Sequence, residues 1–155
     1  MNKKQLHPQK MKDLKDGEET EERIHPELEK YFGKLYNTRD NDKFTKFYEF
    51  DKYNDEYYIV IKGHHRNYSD KTIKTMFFGE NKYNKGCELL KYKPDLKIIY
   101  CWACLDGIYY WPHNYSNALF DKRGRKNRGK DEMDDCVIIY KSYIRPISEH
   151  PLFSQ

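Results

Sequence analysis

An acid and an amine stand at neighbouring strand ends in the first half of this chain. Asp51 follows the segment Lys43 to Phe50, and Lys62 closes the segment Glu56 to Lys62. Alternate residues of a strand share a face, so Val60 and Lys62 point the same way. Asp51 ends the preceding hairpin strand, close enough to approach that face. Carboxylates in such a place can hold a cation, and an amine can bind phosphate or form an ion pair. Glu49 competes with Asp51 for the acid position, because the loop length allows either. Glu80 opens the next helix, from where its carboxylate reaches toward the strand end. Arg66 and Lys82 add positive charge on either side.

A second chemistry-bearing run is Lys122 to Lys130. It carries six cations in nine residues, among them Arg123, Arg125, Lys126, Arg128 and Lys130, together with two glycines. That composition suits a phosphate clamp with a steep salt dependence. The acids Asp131, Glu132, Asp134 and Asp135 follow at once and offer the alternative of a solvated loop paired with its own neighbours. His64-His65-Arg66-Asn67 has no second histidine or zinc pattern after it and reads as a polar loop. Cys101-x-x-Cys104 lies within a strand, where residues three apart face opposite sides, so buried thiols explain it better than half a zinc site. The aromatic set Tyr109, Tyr110, Trp111 and Tyr115 could stack on bases, but the alternation on a hairpin strand assigns half of it to the core, which is the preferred reading.

The elements that must carry these residues follow from periodicity. Residues 1–16 are Lys-rich and read as a basic tail, with 17–155 as a single domain. Glu18 to Asn37 is helical, with Ile24, Leu28, Tyr31, Phe32 and Leu35 at helical spacing, an acidic first turn, and Pro26 expected to split it. Strands are expected at Lys43 to Phe50, Glu56 to Lys62, Ile108 to Trp111 and Cys136 to Tyr143, with Thr72 to Phe78 extended or a strand end. Glu80 to Tyr92 reads as a helix, although Gly86 costs it about 1 kcal/mol relative to Ala. Leu96 to Leu105 is apolar enough for a central strand buried on both faces, turning at Asp106-Gly107. Residues 113–134 read as a loop. The order describes an α/β fold, bordering on α+β, with helices around a mixed sheet.

The longest apolar run, Ile98 to Leu105, is far short of the roughly twenty residues a spanning helix needs, so no membrane partner is expected. Aromatic residues make up 16% of the chain, enough for a core despite 35% charged residues. Four cysteines without a visible secretion signal suggest reduced thiols and an intracellular, non-secreted protein. The net charge of +4 is compatible with nucleic acid as a partner.

Several local patterns, in order, resemble the PD-(D/E)XK nuclease-like proteins of phages and large DNA viruses. Tyr58 to Arg66 is similar to that family's strand ending in Glu-x-Lys before a polar, Arg-containing loop. Thr75 to Lys82 resembles its Thr-rich, Gly-x-Asn-Lys stretch, and Asp106 to Trp111 its Asp-Gly-aromatic hairpin. Gly124 to Glu132 is similar to a Gly-Arg-rich element near its C-terminus. The resemblance covers roughly residues 43 to 143.

It implies a mixed sheet of about five strands flanked by helices. It also implies a site where carboxylates hold Mg²⁺ beside a lysine, here Asp51 and Lys62, for phosphodiester hydrolysis. The family's glutamate position is Val60, which cannot bind a metal. The resemblance therefore implies a degenerate site, no cofactor, and action through binding nucleic acid or a protein. If Glu80 or Glu49 replaces the missing acid, the expectation becomes an active Mg²⁺-dependent DNA endonuclease with Asp51 and Glu80 as metal ligands. A third expectation is a virion or assembly protein that keeps the fold and engages partners through its N-terminal tail. Nucleic-acid contacts are expected at Arg66, Lys82, Arg123, Arg125, Lys126, Arg128 and Lys130, and the location in a host cell or virion.

Overall fold

The computed structural model describes residues 8–45, 48–124 and 133–150. Helix α1 spans Pro8–Phe32 and is followed by strands β1 (Tyr36–Asn37), β2 (Lys52–Tyr53), β3 (Tyr57–Gly63) and β4 (Thr75–Gly79). Helix α2 (Glu80–Tyr92) leads to β5 (Lys97–Cys104), β6 (Gly107–Pro112), β7 (Leu119–Gly124), β8 (Met133–Tyr140) and β9 (Arg145–Pro146). One sheet runs β1-β2-β3-β5-β6-β9 and a second runs β4-β8-β7. Only the β3–β5 pairing is parallel among the described strands, so the main sheet is mixed and the fold is α/β.

The two faces of the main sheet explain its composition. Strand β5 is buried from Ile98 onward, and its alternate residues enter two different cores. Ile99, Cys101 and Ala103 pack with Ile59 against Ile24, Leu28 and Phe32 of α1. Ile98, Tyr100 and Trp102 pack with Val60 against Met76 and Phe78 of β4, Tyr83 of α2, and Val137 and Ile139 of β8. Cys104 faces this second core and Cys101 the first, as strand alternation requires. The layers are therefore α1, the main sheet, and then α2 with the smaller sheet.

Several expected elements differ in the structure. Pro26 lies inside α1 without splitting it, and residues 8–16 of the expected tail are the helix's first turns. The buried stripe Ile24–Leu28–Phe32 continues through the proline, so packing offsets the lost hydrogen bond. Gly33, at φ +79°, ends the helix in the left-handed conformation that glycine adopts without strain. The sequence places a strand at Lys43 to Phe50, but its described residues form turns and bends. Asn41 Oδ1 accepts the Lys43 amide at 2.9 Å, and the Thr45 carbonyl accepts the Tyr48 amide at 3.1 Å. Its alternating aromatics join a ring cluster instead of a sheet: Phe44 packs on Tyr53 at 4.9 Å and Phe50 on Tyr58 at 5.6 Å.

On the side away from β5, β3 pairs with β2, which lies just beyond the expected strand Lys43 to Phe50. Residues 113–134, expected as a loop, contain β7, because Leu119 and Phe120 register with Ile138 and Val137 of β8. Strand β8 begins at Met133 and gives way to a 3-10 turn at Lys141–Tyr143.

Candidate functional site

Strand β2 is only two residues long, and its brevity creates the site. Its register with β3 ends at Lys52 opposite Ile59. Just before it, the Asp51 amide donates to the Ile59 carbonyl at 2.9 Å. Past this point β3 has no backbone strand partner on that side among the described residues, and an unsatisfied amide there would cost free energy. The Asp51 side chain fills the gap: Oδ2 accepts the Ile61 amide at 2.7 Å. The carboxylate is thereby anchored where β2 and β3 part.

Helix α1 brings a second acid to the same place. The helix crosses the end of β3 closely, so that a Cβ on Gly63 would lie 3.6 Å from Thr20 Oγ1. The next residue, Glu21, has a side chain only 14% exposed. Burial, together with the charge on Asp51, pushes the Glu21 carboxyl up to about 8. Asp51 is also raised by burial, against the opposing pull of Lys82, the Ile61 amide, Lys52 and Arg39. The two acids form an interacting pair that titrates as a unit. Arg39 Nη1 stands 3.9 Å from Glu21 Oε1, and its other nitrogen meets Glu22 Oε1 at 3.3 Å.

Lys52, on β2, is 1% exposed and hydrogen-bonds through Nζ to Asn37 Oδ1. Burial and the Arg39 charge lower it, while Glu21, Asp51 and Asp40 support its charge.

The residues singled out from the sequence are distributed unevenly around this pair. Lys82, on α2, is the strongest opposing charge at Asp51, and its Nζ lies 3.4 Å from the Glu49 carbonyl. Lys62 points into the other core. Its Nζ donates to the Phe77 carbonyl at 3.2 Å and lies 3.4 Å from the centroid of the Phe77 ring. Trp102 Nε1 donates to the same carbonyl at 3.0 Å. The side chain of Glu49 is half-buried next to Tyr48, whose hydroxyl is pushed up to about 12 by burial and by neighbours that include Tyr58 and Glu49. Glu80 opens α2, half-buried, in the same turn as Lys82.

Arg66 is engaged in its own loop, with Nη2 on Asp70 and, at 2.6 Å, on Thr72 Oγ1. Arg123 lies on β7 in register with Asp134 and 3.9 Å from Asp121 Oδ2, while Lys122 stands 3.9 Å from Asp135 Oδ1. Arg125, Lys126, Arg128 and Lys130 lie outside the described residues. Tyr110 and Trp111 are core, Tyr109 stacks on Tyr68 at 3.9 Å, and Tyr115 is exposed.

Glu21 is the functional candidate missing from the sequence-based set. Its signal was available: position 21 stands three before Ile24 and seven before Leu28, on the stripe that helical periodicity buries. Two carboxylates, one of which raises the other's proton affinity, are a donor set suited to Mg²⁺, which takes one or two carboxylates and completes its shell with water and phosphate oxygens. Among the described residues no cluster of three or more His, Cys, Asp or Glu side chains is placed to hold a metal. The pair would therefore need oxygens from outside the protein. No family model, no curated protein and no solved structure matches this chain.

Proposed function

We propose that this protein is a nuclease-like phosphodiesterase whose second acid has moved from β3 to α1. Glu21 and Asp51 would hold a divalent cation that a nucleic-acid phosphate completes. The observation that carries the reading is the juxtaposition of these two partly buried carboxylates at the point where β2 leaves β3. Acids buried side by side are costly unless a cation compensates them. A bound Mg²⁺ would supply neutralisation of phosphate charge and a more acidic water. The chain itself contributes three things. The Ile61 amide fixes Asp51, Arg39 and Lys82 give positive potential to draw a phosphate in, and the half-exposed guanidinium of Arg39 offers paired donors to its oxygens.

The silenced-site reading has its own supporting observation. Lys62, the lysine the resemblance names, is engaged with the Phe77 carbonyl and ring. Under this reading Arg39, Lys52 and Lys82 compensate the acids permanently, and the protein binds nucleic acid without cleaving it.

Incubation of single- and double-stranded DNA and RNA with the purified chain and Mg²⁺ or Mn²⁺ separates the two. Metal-dependent cleavage lost in both Glu21→Gln and Asp51→Asn supports the first reading. Metal-independent binding without cleavage, unchanged in those variants, supports the second. Under either reading, neutralising Arg123, Arg125 and Arg128 is expected to flatten the salt dependence of binding.

A further inference from the structure

The main sheet leaves a cleft at the end where β3 and β5 begin. Tyr57 and Lys97 open these two parallel strands side by side. Strand β6 arrives from the other direction and stops at Pro112, in register with Ile99. Helix α2 ends at Tyr92, and a short turn, in which the Leu96 amide donates to the Lys93 carbonyl at 3.1 Å, returns the chain to β5. The 3-10 turn Ile147–Glu149 brings His150 to the same end. Between these termini lies a cavity of about 560 Å³, within the size range of small-molecule sites.

Its walls are mainly apolar. Leu90, Leu96, Ile98 and Pro112 supply aliphatic surface, and Tyr57 and Tyr110 supply rings. Three nitrogen-bearing side chains, Lys97, His113 and His150, also line it, and among the described residues no carboxylate does. Both imidazoles are held in place. His150 is 5% exposed, with its ring edge-on to Phe32, Tyr57 and Tyr110 at 4.6, 5.6 and 5.5 Å between centroids. His113 Nδ1 is hydrogen-bonded to Tyr100 Oη at 2.9 Å, and its ring stacks on Tyr83 at 4.5 Å. Groups fixed in advance lose little freedom when a ligand arrives.

The charge of the cleft comes from one side chain. Burial lowers His113 to about 4, and burial and the Lys97 charge lower His150 against the pull of Glu56, so both rings are neutral near pH 7. Lys97 is then the cation of the described lining. Its Nζ stands 3.0 Å from Glu56 Oε2 and 5.5 Å from the centroid of the Tyr57 ring. An ammonium group has three donors, and Glu56 takes one of them. An apolar hollow with an ammonium at its rim is complementary to a molecule that is apolar at one end and anionic at the other. A cationic ligand would be repelled, and a neutral one would leave the amine unused.

We propose that this cleft binds a small organic monocarboxylate, with its apolar body on Leu90, Leu96 and Ile98 and its carboxylate on Lys97. The site is separate from the Glu21–Asp51 pair. Strand β3 runs from Tyr57 at the cleft to Ile61 beside Asp51, and the two places share no side chain.

The test is isothermal titration of the full chain with octanoate and 2-naphthoate, each beside its matching alcohol, octanol and 2-naphthol. Saturable one-to-one binding of at least one acid is expected, about tenfold tighter than its alcohol. The acid that binds better identifies an acyl or an aryl body. Lys97→Met, at an exposed side chain, should weaken the acid about tenfold and leave the alcohol unchanged. Leu90→Trp, at a half-buried position, fills the cleft and should abolish binding of both. Should that variant fail to fold, amide chemical shifts of the wild type replace it. Shifts centred on residues 96–99 and 110–113 uphold the site, and shifts centred elsewhere overturn it.

No saturable binding of either acid overturns the proposal, as does an acid bound no more tightly than its alcohol. Unchanged acid affinity in Lys97→Met, or unchanged binding in folded Leu90→Trp, overturns it too. Binding that appears only in a chain cut after His150 would give the cleft to the chain's own Pro151-Leu152-Phe153, and would also overturn it.

Discussion

Asp51 Oδ2 accepts the Ile61 backbone amide at 2.7 Å, so the acid that borders Glu21 is fixed by the strand it borders. The bond gives Asp51 two separable contributions. As an acceptor it satisfies a partly buried amide, and as a charge it raises the proton affinity of Glu21. Asp51→Ala removes both and leaves the amide without a partner, which costs about 1–3 kcal/mol. Asp51→Asn keeps an acceptor oxygen and removes the charge, and we expect it to be at least as stable as the wild type at pH 8. Urea denaturation of both variants checks the difference. Equal destabilisation by Ala and Asn would show that the charge, and not the amide bond, is what the fold uses.

Glu21 carries a pH dependence whose sign follows from its environment. Its carboxyl rises from 4.5 to about 8 on folding, so the folded state holds a proton that the unfolded state has released. Stability from this group is therefore greatest below about 4.5, declines as the pH climbs toward about 8, and is level above that. Glu21→Gln is close to neutral at the acidic end. Above pH 8 it is expected to stabilise the metal-free protein by an amount on the order of 1–3 kcal/mol. Melting temperatures measured from pH 4 to 9 test this. Millimolar Mg²⁺ or Mn²⁺ should raise the wild-type melting temperature at the alkaline end and leave the Gln variant unmoved. A Gln variant less stable than the wild type at every pH would remove the charge-pair account of Glu21.

Lys62 and Lys82 exchange the roles that the sequence pattern suggests. Lys62 Nζ is taken up by the Phe77 carbonyl and ring, whereas Lys82 is the strongest opposing charge at Asp51. Because Trp102 Nε1 also donates to that carbonyl, Lys62→Met leaves it satisfied. We expect this variant to lose about 0.5–1.5 kcal/mol of stability with oligonucleotide affinity unchanged. Lys82→Met should instead weaken oligonucleotide binding and reduce its salt slope by about one counterion. Fluorescence anisotropy across a salt series reports both. Loss of affinity in Lys62→Met alone would restore Lys62 as the phosphate-facing amine.

How far these features were legible in the sequence depends on the range of the forces that make them. Helix α2 and strand β5 match their expected spans closely, because local propensity and the apolar pattern agree with the tertiary environment there. Phe44, Tyr48 and Phe50 alternate like a strand but serve a ring cluster with Tyr53 and Tyr58, a choice made by partners distant in sequence. Strand β7 was hidden for a similar reason: Leu119 and Phe120 form a strand only through their register with β8.

Glu21 reads as a helix-start charge when the acids of residues 18–22 are counted together, and as a buried acid only when its phase against Ile24 and Leu28 is followed. Its neighbour Asp51 lies 30 residues away in sequence and is brought close by the crossing of α1 over β3, which no local pattern encodes.

Gly86 shows the same contest between local and long-range effects in a form that one substitution resolves. As a helix residue it is a poor choice, and Ala would favour α2 by about 1 kcal/mol. The alanine Cβ, however, would sit 2.9 Å from Tyr100 Oη and 3.2 Å from His113 Nδ1 and Ile98 Cδ1. Tyr100 is 1% exposed and stacked on Phe78 at 4.1 Å, so its hydroxyl has little room to withdraw. Overpacking of this kind costs about 1–3 kcal/mol, which outweighs the helical gain. Gly86→Ala is therefore expected to destabilise the protein by a net amount of up to about 2 kcal/mol in urea titration. It should also shift the fluorescence of Trp111, which packs 5.4 Å from the Tyr100 ring. A more stable alanine variant would mean that α2 can retreat from β5 at no cost.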